Sequence, residues 1–132
     1  PTSQFKDIDC VIAGWDRHFT FAKICVAALC LKLNPSSIFI ATNRDNFDAV
    51  MPDKIIPGGG AMVASIEASV EKKPIVIGKP ETWFIDDIAM ELNIQDKKRM
   101  IMIGDRLNTD ILLAQNANID SILVYTGVTT KE

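Results

Sequence analysis

Two short stretches of this chain carry residue types that handle phosphate. Lys79 stands in Ile77-Gly78-Lys79-Pro80, at the end of an apolar run. Asp105 and Asp110 stand in Met102-Ile-Gly-Asp-Arg-Leu-Asn-Thr-Asp110, after a second apolar run. Gly104 leaves the backbone open to close approach, so Asp105 projects from the tip of its strand. Asp110 falls in the first turns of the next helix, where it can face back toward Asp105. Carboxylates are hard oxygen ligands that suit Mg²⁺, and an ammonium neutralises phosphate oxygens. Each part alone is common, because a lysine after a strand is usually a solvated turn residue and Asp often caps a helix. The two together, on successive strand ends and in this order, carry the signal.

Strands and helices must alternate to place them. Cys10–Ala13 is a short apolar run ending at Gly14. Thr20 is an N-cap, and Phe21–Leu33 is a helix apolar all round that stops at Asn34-Pro35. Ser37–Ala41 is a strand that ends in the polar stretch Thr42–Asp48. The break Pro57-Gly58-Gly59-Gly60 precedes a helix over Ala61–Val70, and Pro74–Gly78 is a strand with a terminal glycine. Phe84, Ile88 and Leu92 recur at i, i+4 and i+8, which predicts one apolar helix face. Met100–Ile103 and Ser121–Tyr125 read as strands, with a helix over Leu107–Ala117 between them and Asn118 as its left-handed cap. Continuous apolar strands alternating with helices predict an α/β fold, a parallel sheet with helices on both faces. In such sheets ligands bind beyond the carboxyl ends of the strands, so the Lys79 and Asp105 strands are expected to be neighbours.

Composition sets the outer limits. The chain has 132 residues, 48% apolar and 23% charged, which excludes disorder, collagen and coiled coil. Fourteen basic residues against seventeen acidic ones give −3, so no broad basic footprint points to nucleic acid. No apolar run is long enough to span a membrane. Cys10, Cys25 and Cys30 form neither a disulfide framework nor a zinc pattern, and read as reduced core thiols in a cytoplasmic protein. Residue 1 is Pro, and no targeting segment follows it.

The motifs together resemble the haloacid dehalogenase-like phosphohydrolases, in the large-cap branch of phosphoglycolate, pyridoxal-phosphate and 4-nitrophenyl phosphatases. Besides the Lys79 and Asp105 stretches, Gly14–Lys23, Phe39–Asn43, Pro57–Gly60 and Thr126–Val128 look like that branch, in its order. The resemblance implies a Rossmann-like core half over residues 74–132 and part of an α/β cap over residues 1–73. It implies Lys79 as the catalytic lysine that balances charge on nucleophile and phosphate. Asp105 and Asp110 would form the Mg²⁺ site, Asp110 supporting either the metal or Lys79. Asn108 stands where an acidic residue is frequent. Asn43, Arg44 and Phe47 fall on the branch's substrate-specificity loop. There Arg44 would bind a second anionic group and Phe47 would pack on the substrate. Arg106 joins them as a substrate-binding residue. The plain alternative for Asn43–Asp48 is a polar loop with one buried aromatic. Asp16, Arg17 and His18 are read as a structural ion pair with a capping histidine, the triple glycine as a chain reversal, and Asp86 and Asp87 as a solvated helix face.

The family also forms a phospho-aspartate, which needs an Asp-x-Asp after an apolar strand. Asp7-Ile8-Asp9 matches the letters, but it precedes its strand and would sit at the wrong end of a parallel sheet. The expectation is therefore part of a Mg²⁺-dependent phosphatase acting on small-molecule phosphate monoesters, with a homodimer through the cap and neither nucleic acid nor membrane as partner. A core half without its leading strands would expose apolar sheet. The competing readings are a catalytically inactive short form acting as a scaffold, and a receiver-like or dinucleotide-binding domain. The last is weakened by the lack of Gly-x-Gly-x-x-Gly after the first strand.

Overall fold

A computed structural model describes residues 3–51 and 54–131. In chain order the elements are β1 (Cys10–Ala13), α1 (Phe21–Leu33), β2 (Ile38–Ala41), β3 (Phe47–Met51), β4 (Lys54–Pro57), α2 (Gly59–Val70), β5 (Ile75–Val76), α3 (Trp83–Glu91), β6 (Ile101–Gly104), α4 (Leu112–Ala117) and β7 (Asp120–Leu123). A π-helical turn over Leu107–Ile111 leads into α4. The chain divides into two compact units, with the main break between Val76 and Ile77.

The first unit is built on a parallel sheet in the order β1-β2-β5. Cys10 pairs with Ile38 and Ala13 with Ala41, and Ile40 and Ala41 continue to Ile75 and Val76. Alternate side chains point to opposite faces. On one face Ala13, Phe39 and Ala41 pack with Ala27 and Leu31 of α1 and with Val63, Ile66 and Val70 of α2. On the other face Ile12, Ile38 and Ile75 are exposed, so the described residues cover the sheet on one side. Helix α1 starts as expected, the Thr20 side chain accepting from the Lys23 N–H, and ends at Asn34. Helix α2 begins at Gly59, inside the glycine run, rather than at Ala61. Strands β3 and β4 pair with each other. They were not foreseen, because Asn46-Phe-Asp48 reads as polar loop.

The second unit pairs β6 with β7 in parallel, Ile101 opposite Asp120 and Gly104 opposite Leu123. Its core gathers Ile85, Leu113 and Ala117, with Phe84, Met100, Met102 and Ile119 packed around them. Asn118 adopts the left-handed conformation (φ 55°) that closes α4. Ile101, Ile103 and Ile122 are exposed.

Three expectations need correction. Helix α3 buries Ile85 and Ala89, whereas Ile88 and Leu92 are exposed, so its buried face is rotated from the Phe84-Ile88-Leu92 row. Cys10 is exposed, Cys25 half-buried and Cys30 buried, so the three thiols are not all core. Cys10 alternates with Val11 onto the open sheet face. The strand before Lys79 stops at Val76 and pairs with β2, whereas β6 pairs with β7. The two strand ends are therefore not neighbours in one sheet. That pairing also ties Ile75 and Val76 to the first unit.

Candidate active site

Lys79 and the acidic pair lie in the second unit. Strand β6 ends at Gly104, and the π-helical turn brings Asp110 back over that strand end. Asp110 is 3% exposed. Its Oδ1 accepts from Lys79 Nζ at 2.6 Å, and its Oδ2 accepts from the Asp105 and Arg106 N–H groups, each at 3.1 Å. Burial by itself would raise the Asp110 pKa. The Lys79 hydrogen bond and charge and the two backbone N–H groups outweigh it and hold the carboxyl below its ordinary 3.8. Asp110 is thus a buried anion that fixes Lys79, whose own side chain stays 39% exposed. The expected Lys79–Asp110 link forms without the expected sheet adjacency.

Two glycines make the arrangement possible by being small. A Cβ on Gly104 would lie 2.3 Å from Asp110 Cβ and 2.4 Å from its Cγ. A Cβ on Gly127 would lie 2.0 Å from Asp105 Oδ2. Real carbon contacts are close to 3.5–4 Å, so neither position has room for a side chain. Asp105 itself is half-buried, and its Oδ2 accepts the Val128 N–H at 2.5 Å while its carbonyl accepts from Thr129 at 3.2 Å. Thr126-Gly-Val128 was recognisable as a motif, but nothing in its residue types announced that its backbone would hold Asp105.

The chemistry of the donor set fits a hard cation in part. Asp105 offers carboxylate oxygen at a strand tip. The oxygens of Asp110 already take three donors, which makes it a supporting carboxylate. Among the described residues no three His, Cys, Asp or Glu side chains converge as a metal-binding group. Asn108 is exposed on the turn between them, and Arg106 gives Asp110 its backbone N–H.

The other expected substrate residues belong to the first unit and form a separate arrangement. Arg44 is ion-paired with Glu67 of α2, a partner not foreseen from sequence. Asn43 Oδ1 accepts the Asp45 N–H at 3.2 Å and closes a turn. The glycine run packs directly on this loop. Gly60 N–H donates to Asp45 O at 2.9 Å, and Gly58 N–H donates to Asn46 O at 3.0 Å. A Cβ on Gly58 would lie 2.2 Å from Asp45 O, and one on Gly60 would lie 2.6 Å from Arg44 O. The glycines therefore seat the Asn43–Asn46 turn against the start of α2. Phe47 opens β3 and is half-buried. The Asp16 ion pair is made to Lys23 rather than to Arg17, and Asp16 Oδ1 accepts the His18 N–H at 2.8 Å. Asp86 pairs with Lys97 on an exposed surface, as a solvated helix face would.

A HAD-hydrolase-like family model matches residues 76–132. The chain is 42% identical over 124 residues to phosphoglycolate phosphatase 1A, chloroplastic, of Arabidopsis thaliana, covering 94% of this chain and 34% of that protein. It is 39% identical over 122 residues to glycerol-3-phosphate phosphatase of Gallus gallus, covering 92% and 39%. The crystal structure of 4-nitrophenylphosphatase from Thermotoga maritima superposes with a TM-score of 0.79 at 38% identity, covering 95% of this chain and 47% of that one. The chain spans less than half the length of each of these three. Residues 76–132 thus match the HAD-hydrolase-like family, and over more than nine-tenths of its length the chain is similar to proteins named as phosphatases.

Proposed function

We propose that this chain is part of a phosphatase that hydrolyses small-molecule phosphate monoesters, phosphoglycolate- or 4-nitrophenyl phosphate-like, through a phospho-aspartate. The observation that carries the reading is the 2.6 Å Lys79–Asp110 pair held over the end of β6. A buried carboxylate that orients an exposed ammonium is a fixed positive charge, preorganised for the equatorial oxygens of a phosphoryl group. Fixing it beforehand removes the cost of reorganising solvent as charge develops. Asp105 is the residue of this chain that would hold Mg²⁺, which when bound supplies charge neutralisation to the phosphate. The Gly127-Val128 backbone orients that carboxylate. The attacking aspartate and its acid–base partner are assigned to residues outside these 132, because Asp7 and Asp9 precede β1 instead of following it.

In the same reading the first unit is part of the cap and the second part of the catalytic core. Homodimerisation through the cap and a cytoplasmic location belong to this proposal as well. The test is Mg²⁺-dependent hydrolysis of 4-nitrophenyl phosphate and phosphoglycolate by the longest native form of the protein. Lys79→Ala and Asp105→Asn are each expected to lower kcat/KM on the order of a thousandfold. Near-normal turnover in either variant would overturn the site assignment.

A further inference from the structure

Thr126-Gly127-Val128 is a motif whose side chains the phosphate chemistry does not use. Its place follows from the sheet. Strands β6 and β7 are parallel, so both end on the same side, and Val124 N–H donates to Gly104 O at 2.9 Å. The chain leaving β7 therefore passes over the tip of β6, where Asp105 stands. Thr129 N–H donates to the Asp105 carbonyl at 3.2 Å and ties the segment to that backbone. Val128 N–H donates to Asp105 Oδ2 at 2.5 Å, a charge-assisted bond.

The contact is one-sided. Gly127 packs against the same oxygen, since a Cβ there would lie 2.0 Å from Oδ2 and 2.6 Å from Cγ. Among the described residues no hydrogen bond or ion pair reaches Oδ1. One carboxylate oxygen is thus covered by backbone and the other is left for a cation. Hard divalent cations differ in what they ask of a carboxylate. Mg²⁺ is small, holds strict octahedral geometry and keeps several waters, so one oxygen suffices. Ca²⁺ gathers about 6–8 oxygens and readily takes both oxygens of one carboxylate. Seating a cation on both would draw Oδ2 away from the Val128 N–H and strand that donor. We propose that the Gly127-Val128 backbone makes Asp105 a one-oxygen ligand and so discriminates for Mg²⁺ against Ca²⁺. The inference rests on the reading of Asp105 as the cation ligand. It makes Val128 a positioning residue that acts through its main-chain N–H, whatever its side chain.

Cation binding can be measured without turnover. Isothermal titration of the longest native form with Mg²⁺ and with Ca²⁺ gives the two affinities. Val128→Pro deletes the donor, whereas Val128→Ala keeps it. The preference for Mg²⁺ is expected to fall about tenfold or more in Val128→Pro and to persist in Val128→Ala. An unchanged preference in Val128→Pro, an equal loss in Val128→Ala, or a parent protein that binds Ca²⁺ as tightly as Mg²⁺ would each overturn the proposal. The Val128 amide reports directly in the unsubstituted protein should the proline variant not fold. In NMR spectra of isotope-labelled valine, Mg²⁺ should leave that amide hydrogen-bonded and slow to exchange, and Ca²⁺ should shift it and speed its exchange. The same response to both ions would overturn the proposal. Undiminished Mg²⁺ binding in Asp105→Asn would sink the site reading and the proposal together. Mg²⁺ selectivity lost in Val128→Pro, in a protein that hydrolyses no phosphate ester, would sink the enzyme reading and leave this assignment standing.

Discussion

Asp110 offers the sharpest test of how the site is held. In Asp110→Ala the Asp105 and Arg106 N–H groups lose their acceptor, and Lys79 loses its partner. The ion-pair share is modest, because Lys79 is 39% exposed and regains water, so it is worth about 1 kcal/mol. The amides sit at a half-buried strand end, and stranding each donor costs about 1–2 kcal/mol. The expected loss for Asp110→Ala is therefore about 3–5 kcal/mol. Asp110→Asn keeps an oxygen for the amides but turns an NH₂ toward the ammonium, for a loss of about 2 kcal/mol. Lys79→Ala removes the ion pair while the amides stay satisfied, for a loss of about 1 kcal/mol. Urea unfolding followed by circular dichroism at pH 7 measures all three. The pH dependence has a definite sign. The folded pKa of Asp110 is depressed, so its stabilisation is fully present above the ordinary 3.8 and is lost as pH falls through the folded value. The gap between Asp110→Asn and the parent chain should thus close below about pH 4. A Lys79→Ala loss as large as that of Asp110→Ala would refute the reasoning, because the backbone amides would then contribute nothing.

Other expectations follow from close packing and pairing. Gly58→Ala drives a Cβ toward the Asp45 carbonyl, a backbone atom that cannot swing aside, and should cost about 2–3 kcal/mol in a thermal or urea melt. A Gly58→Ala protein as stable as the parent would show that the turn is not seated on α2. Arg44→Glu combined with Glu67→Arg should restore most of what either single charge reversal loses, since the two side chains pair directly. Purely additive losses would free Arg44 for the substrate role suggested by its loop position. The 132-residue chain alone should show negligible Mg²⁺-dependent hydrolysis of 4-nitrophenyl phosphate, and steady turnover by it would place the nucleophile within these residues.

The parts legible in the sequence were those set by local chemistry. Thr20 has a side-chain oxygen for the Lys23 N–H, and Asn118 tolerates the left-handed conformation, so the corresponding helix ends could be read directly. Short β-rich apolar runs gave parallel strands at β1, β2, β6 and β7. Periodicity misled at α3. The row Phe84, Ile88 and Leu92 is apolar, but so are Ile85 and Ala89, and an apolar residue list does not say which stripe meets a core. Strands β3 (Phe-Asp-Ala-Val-Met) and β4 (Lys-Ile-Ile-Pro) are mostly apolar, but each is short and carries an Asp or a Pro, so neither stood out from the loops beside it.

At the site, sequence alone determined the cast: a lysine after a glycine, an aspartate at a strand tip, a second aspartate in the next turn, and glycines around them. Their types and order raised phosphate and a hard cation as the expected chemistry. Tertiary structure decided the roles. Asp110 became the partner of Lys79, and Val128 the backbone anchor of Asp105, through contacts 31 and 23 residues apart. Arg44 was drawn to Glu67, also 23 residues away. Such pairings depend on where the chain returns, which is fixed by packing of the two units' cores and not by any spacing along the sequence.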